Sequence, residues 1–186
     1  AKKLLKADDL DDKLRLETVS LIGRLYKDRY QRTTLPAEKT DFAGRALRNY
    51  STAYQLSRNS YPGINAASMS LLADVSRDKV HTSAKEVLDL ALAELKQPGS
   101  ENDYWLFATI GEAYLLLEQF TGTDADDENC AEWWYRRAVT EAAGDIGSVV
   151  SMRRQVQLLK ERLKVPEEFM SIFSIGTCVI FAGHMI

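Results

Sequence analysis

Histidine and cysteine are scarce in this chain, and their scarcity removes most catalytic and metal-binding readings. The two histidines, His81 and His184, lie far apart, so neither an HExxH zinc pair nor a His-based triad can be assembled around them. The two cysteines, Cys130 and Cys178, show no CxxC spacing and no Cys/His cluster. That argues against a disulfide framework or a structural zinc site and fits a reducing cytoplasm. An excess of positive charge is missing too. A formal net charge of -3 supplies no global pull toward nucleic acid or an anionic membrane. The N-terminal AKKLLKADDLDD lacks an apolar h-region, and the one long apolar run, 169–186, carries Gly176, Gly183 and His184, so neither export nor a membrane span is expected. The chain has no initiating methionine and ends inside that apolar run, which suggests a fragment of something longer.

What is present is amphipathic helix. With 45% hydrophobic and 27% charged residues, the 186-residue chain can fold around one core or a short stacked array. The clearest stretch is 102–143. Its first half places Phe107, Ile110, Gly111 and Tyr114 along one helix face, and its second half does the same with Ala131, Trp134, Tyr135 and Ala138. Small residues on both faces let two such helices approach closely. The same spacing recurs at Val19, Ile22, Gly23 and Tyr26 in a helix expected over 12–32, with Leu16, Leu25 and Tyr30 widening its stripe. Ala46, Tyr50 and Ala53 then match Ala131, Tyr135 and Ala138 in a helix expected over 41–59. Residues 33–40, with Pro36, read as a polar break, and Tyr61-Pro62-Gly63 as a turn. A third helix over 64–74 and a fourth over 83–97, with Ala84, Leu88 and Ala91, form a middle pair. The first helix of that pair has no glycine within 65–74 to fix its register. Pro98-Gly99-Ser100 closes the pair, and a seventh helix over 147–164 ends before Pro166.

Paired helices carrying L-G-x-x-Y-like and A-x-x-x-Y-x-x-A-like patterns resemble the tetratricopeptide repeat, nominally about 34 residues long. The resemblance implies an all-α chain in which three antiparallel hairpins over about 12–143 stack as a short right-handed solenoid. Residues 147–164 resemble a solvating terminal helix. The intervals from Ala46 to Ala84 and from Ala84 to Ala131 exceed the nominal period, so the loops have grown. Residues 17–28, ETVSLIGRLYKD, followed by 61–67, YPGINAA, also resemble the TRAF-binding region of the apoptosis signal-regulating MAP kinase kinase kinases and its bacterial relatives. That family implies a regulatory, protein-binding array beside a signalling or effector domain. It supplies no catalytic residue.

One amphipathic hairpin cannot bury its apolar face alone, so hairpins stack, and handed stacking leaves a concave inner wall lined by the first helix of each pair. By this register the first repeat presents Glu17, Ser20, Arg24 and Lys27, and the third presents Trp105, Ala108, Glu112 and Leu115. The paired asparagines of carboxylate-clamping repeats are absent from these positions. Trp105 is the sharper clue, because tryptophan and arginine dominate binding energy at interfaces. Trp134 falls in the buried stripe, and Trp133 lies about 100° around the helix from it, placed either for a partner or for the 121–129 loop.

The remaining polar clusters point to solvation rather than chemistry. The acidic run 124–128 fails as an EF-hand, since Asn129 stands where glycine is needed and Tyr135 where glutamate is needed; it suits the positive end of the following helix. Arg153, Lys160 and Lys164 form a basic stripe on the last helix, read as an outer solvated face. The segment 175–182, IGTCVIFA, reads either as the first strand of a truncated Rossmann-like domain, without GxGxxG, or as a cap on the array. As an unpaired strand it could pair two copies into a homodimer.

The expectation is therefore a helical repeat domain over 1–165 followed by an apolar tail over 166–186. Its function is that of a non-enzymatic interaction and regulatory module of a larger cytoplasmic signalling protein. Its partner is a protein or another domain of its own chain, with no nucleic acid, membrane, cofactor or metal. The alternative is the sensory N-terminal part of a nucleotide-sensing or nucleotide-processing signalling protein. An enzyme complete within these residues is disfavoured.

Overall fold

In a computed structural model, residues 11–122, 127–142 and 144–174 are described, and every regular element among them is helical. Seven α-helices run in order: α1 (Asp12–Arg32), α2 (Pro36–Ser57), α3 (Ser60–Leu72), α4 (Arg77–Glu94), α5 (Tyr104–Leu116), α6 (Ala131–Glu141) and α7 (Ile146–Leu163). A 3-10 helix, Glu167–Phe173, follows. Each helix from α1 to α5 packs on the next, and α3 also meets α5. This is the expected stack of antiparallel hairpins. The strand reading of 175–182, and the homodimer built on it, lie outside the described residues.

Two proline signals are resolved differently from the sequence expectation. Pro36 opens α2 instead of breaking the chain before it, and Pro62 lies in the first turn of α3 instead of in a loop. In both places the missing N–H belongs to the first turn, where it would have no partner within the helix. The start of α3 is secured from outside. Glu94, on α4, accepts from the Ser60 backbone N–H at 2.9 Å and from the Ser60 hydroxyl at 2.5 Å. α5 carries its own cap, Asp103, whose carboxylate accepts from the N–H groups of Trp105 and Leu106. α4 begins at Arg77, six residues earlier than expected, so His81 sits on a helix and not in a loop.

The close approaches implied by the small residues are present. A Cβ built on Gly23 would lie 3.1 Å from the Tyr50 ring, and one on Gly111 would lie 3.0 Å from the Tyr135 ring. Gly63 fills the corresponding role in the middle pair, with Val87 and Tyr54 crowding the same side. The glycine missing from 65–74 is therefore found one turn earlier, within the supposed turn. Leu25 departs from its expected place: it is 50% exposed, as is Leu21, while Val19, Ile22 and Tyr30 are buried.

α7 departs from the expected role of an end cap. It packs against α3 and α5, the inner helices, and buries Val149, Met152, Val156, Leu159 and Leu163 there. Every residue of α5 from Leu106 to Leu116 is consequently buried. A helix apolar on all sides needs cover on all sides, and α7 supplies the side that stacked hairpins leave open. The 3-10 helix continues the closure, placing Phe169 and Phe173 edge-on to Tyr135 at ring separations of 6.0 and 5.2 Å.

Candidate partner-binding cleft

Between α1 and α7 runs a cleft of about 610 Å³ whose floor is built by α3 and α5. α1 contributes Arg24 and Lys27 to one wall, and α7 contributes Arg154 and Gln155 to the other. Trp105, 44% exposed, and Tyr61, 54% exposed, stand over it. Tyr50 and Tyr135 reach the floor from the second helices of their hairpins.

The floor is a polar network in which Asn65, Ser68 and Glu112 are buried and Lys27 and Gln155 partly so. Glu112 is buried, accepts from the Ser68 hydroxyl, and accepts from the Gln155 amide at 2.5 Å. Lys27 donates to the Asn65 side-chain oxygen at 2.8 Å, and Asn65 in turn donates to the Tyr61 carbonyl. Burial drives the Glu112 carboxyl above its ordinary range, while the Lys27 charge and the two hydrogen-bond donors pull it partly back. Burial likewise lowers the Lys27 ammonium, against the opposing attraction of Glu112 and Asp28. Each group is shifted toward its neutral form, and each is the other's main electrostatic support. The Tyr135 hydroxyl is buried at the same floor and has no hydrogen-bond partner among the described residues.

The walls behave oppositely. Arg24 and Arg154 are exposed, and neither makes an ion pair or hydrogen bond with another described residue. The ion pairs of the described residues are spent elsewhere, at Arg45–Asp41, Arg77–Glu118, Arg136–Glu132, Lys160–Glu167 and Arg162–Asp74.

Residues 1–72 match the family model Tetratricopeptide Repeats-Sensor. That span covers the first hairpin and α3, and so includes the Arg24 and Lys27 wall and the Tyr61 edge of the cleft. No curated protein and no solved structure matches the chain. The Tetratricopeptide Repeats-Sensor match and the helical stack together support a tetratricopeptide-like repeat, a class of fold that generally serves interaction or sensing.

Of the residues expected on the inner wall, the structure brings Arg24, Lys27, Trp105, Ala108 and Glu112 to the cleft. Glu17 and Ser20, on the second and third turns of α1, do not line it, and Leu115 is fully buried in the core. Glu112 is engaged by the protein's own side chains and forms floor rather than rim. Trp133 lies outside the cleft. It stands edge-on to Trp134 at 4.7 Å, beneath the Arg137 guanidinium, which also lies 4.2 Å from the centre of the Phe107 ring. Trp134 donates its indole N–H to the Glu128 carbonyl and so pins the end of the loop before α6. Sequence reasoning missed the entire α7 wall, Tyr61 and Tyr135. The stripe Arg153, Lys160 and Lys164 was visible there, but Arg154, one position round, is the residue turned to the cleft.

His81 and Glu118 lie 3.7 Å apart beside Arg77, remote from the cleft, and the His81 Nε2 has no hydrogen-bond partner among the described residues. Among the described residues no group of three or more His, Cys, Asp or Glu side chains is placed to hold a metal ion, and no helix is long and apolar enough to cross a membrane.

Proposed function

We propose that this chain is a non-enzymatic interaction and regulatory module of a larger signalling protein, and that it takes a protein partner, or another part of its own full-length chain, in the cleft between α1 and α7. The observation that carries this reading is the contrast between floor and walls. Glu112 and Lys27 on the floor are engaged by the protein's own side chains, whereas Arg24 and Arg154 make no ion pair or hydrogen bond with another described residue, and Trp105, packed on Tyr104, stays 44% exposed over the cleft. Unpaired arginine and exposed tryptophan over a concave surface are what an interface uses as anchors. The similarity of 17–28 and 61–67 to the TRAF-binding region supports a place beside a signalling or effector domain. The composition suits a reducing cytoplasm.

Affinity capture by the whole chain, compared with its Trp105→Ala and Arg24→Glu variants, tests this reading. Partners held by the parent chain should be lost from both variants and kept by Arg136→Ala, which alters the outer face of α6. Retention of every partner by both cleft variants would refute it.

A further inference from the structure

The cleft has a definite chemical preference, which rests on the reading that it is the binding face. Arg24 and Lys27 line the cleft from α1, and Arg154 lines it from α7. Three cationic side chains therefore face two acidic ones, Asp28 and Glu112. Glu112 is consumed by Ser68 and Gln155, and Lys27 offers only one of its three protons to Asn65. Among the described cleft residues, Asp28 is then the one acid left to oppose the Arg24 and Arg154 guanidinium groups. Guanidinium groups recognise carboxylates through paired N–H donors, and do so most strongly where water is partly excluded.

A second, independent observation lies at the floor. The Tyr135 hydroxyl is buried, lines the cleft, and has no partner among the described residues. Buried hydroxyls are almost always hydrogen-bonded, so this one marks a position for an acceptor brought from outside. Its ring is locked between Gly111 and the two phenylalanines of the 3-10 helix, so it cannot swing away to find another.

The geometry points to a partner segment that inserts an acidic side chain, aspartate or glutamate, between Arg24 and Arg154, and lays a neighbouring aromatic or large aliphatic residue against Trp105 and Tyr61. A protein segment fits better than a free small anion, because Trp105 and Tyr61 remain about half exposed and a ligand confined to the cleft would leave the best contact surface uncovered.

The test is selection of a random dodecapeptide display library on the whole chain, followed by calorimetric titration of the best peptide and of the same peptide with its acid replaced by the amide. Enriched peptides should carry Asp or Glu within a few positions of an aromatic or leucine. The amide replacement should weaken binding by roughly tenfold or more. Arg24→Ala and Arg154→Ala should weaken the acidic peptide while leaving the amide peptide unchanged, a coupling that a general loss of fold would not produce. Both arginines are exposed, so the variants keep the core intact. If acid and amide peptides bind alike, or the arginine variants weaken both equally, the acidic clamp is wrong while the cleft reading stands. If no peptide is enriched, or those enriched ignore Trp105→Ala, both fail. Glutarate or inorganic phosphate binding as tightly as the best peptide would overturn the segment in favour of a small anion.

Discussion

Gly111 and Gly44 are both helical glycines, and their surroundings predict opposite responses to the same substitution. A methyl on Gly44 would meet only Arg48, at 3.7 Å, so Gly44→Ala should stabilise the fold by about 0.5–1 kcal/mol through helix propensity alone. A methyl on Gly111 would press on a Tyr135 ring that Phe169 and Phe173 hold in place, so Gly111→Ala should cost about 1–3 kcal/mol. Urea unfolding of the two variants decides it; shifts of the same sign would contradict the packing described. Glu112 governs a pH effect. Its carboxyl binds its proton more tightly in the folded chain than in the unfolded one, because burial raises it from an ordinary value of 4.5. Its contribution to stability is thus full below about pH 4.5 and declines as pH rises from there toward the folded value. Glu112→Gln removes that decline while keeping an acceptor for Ser68 and Gln155. Thermal midpoints of the variant should fall less than those of the parent on going from acid to neutral pH; parallel curves would show that Glu112 does not titrate as described.

At the scale of the element, the ends of the helices carry much of the specificity. Asp103→Ala removes the acceptor for two N–H groups of α5 and should cost about 1 kcal/mol. The 3-10 helix is the more consequential element, since Phe173 is almost fully buried against Tyr135. Phe173→Ala should cost about 3–5 kcal/mol and, by freeing the Tyr135 ring, should speed amide exchange in α6 more than in α2. Equal acceleration in both helices would mean that the segment does not brace α6 in particular. Proline explains where reading by element failed. Pro36 and Pro62 look like breaks in a linear sequence, because proline is equally at home in a loop and in the first turn of a helix. Only the neighbour that supplies the missing cap, Glu94 at the start of α3, distinguishes the two.

Across the whole molecule, α7 ties hairpins together that would otherwise meet only their immediate neighbours. Stacked repeats with nearest-neighbour contacts can unfold piecemeal. Here α7 packs on both α3 and α5, and Arg162 reaches Asp74 beyond the end of α3 at 2.5 Å. One cooperative transition is expected. All three tryptophans, Trp105, Trp133 and Trp134, lie in the third hairpin, so tryptophan fluorescence reports that hairpin while far-UV circular dichroism reports every helix. Coincident denaturation curves are predicted, and a fluorescence midpoint displaced from the dichroism midpoint would show that α7 does not couple the hairpins.

The periodic pattern determined by itself that the chain is helical, that its helices pair, and that Gly23 and Gly111 mark where partners press together, because these features depend on residues a few positions apart. Arg24, Lys27 and Trp105 were legible as inner-wall residues for the same reason. Only the tertiary structure decided that α7 turns inward, that Glu112 becomes floor rather than rim, and that Tyr135 and Arg154 face the same cleft as Arg24. Those placements depend on which surface the last helix covers. An apolar stripe such as that of α7 states that it must be buried; it carries no information about which of several apolar faces will receive it.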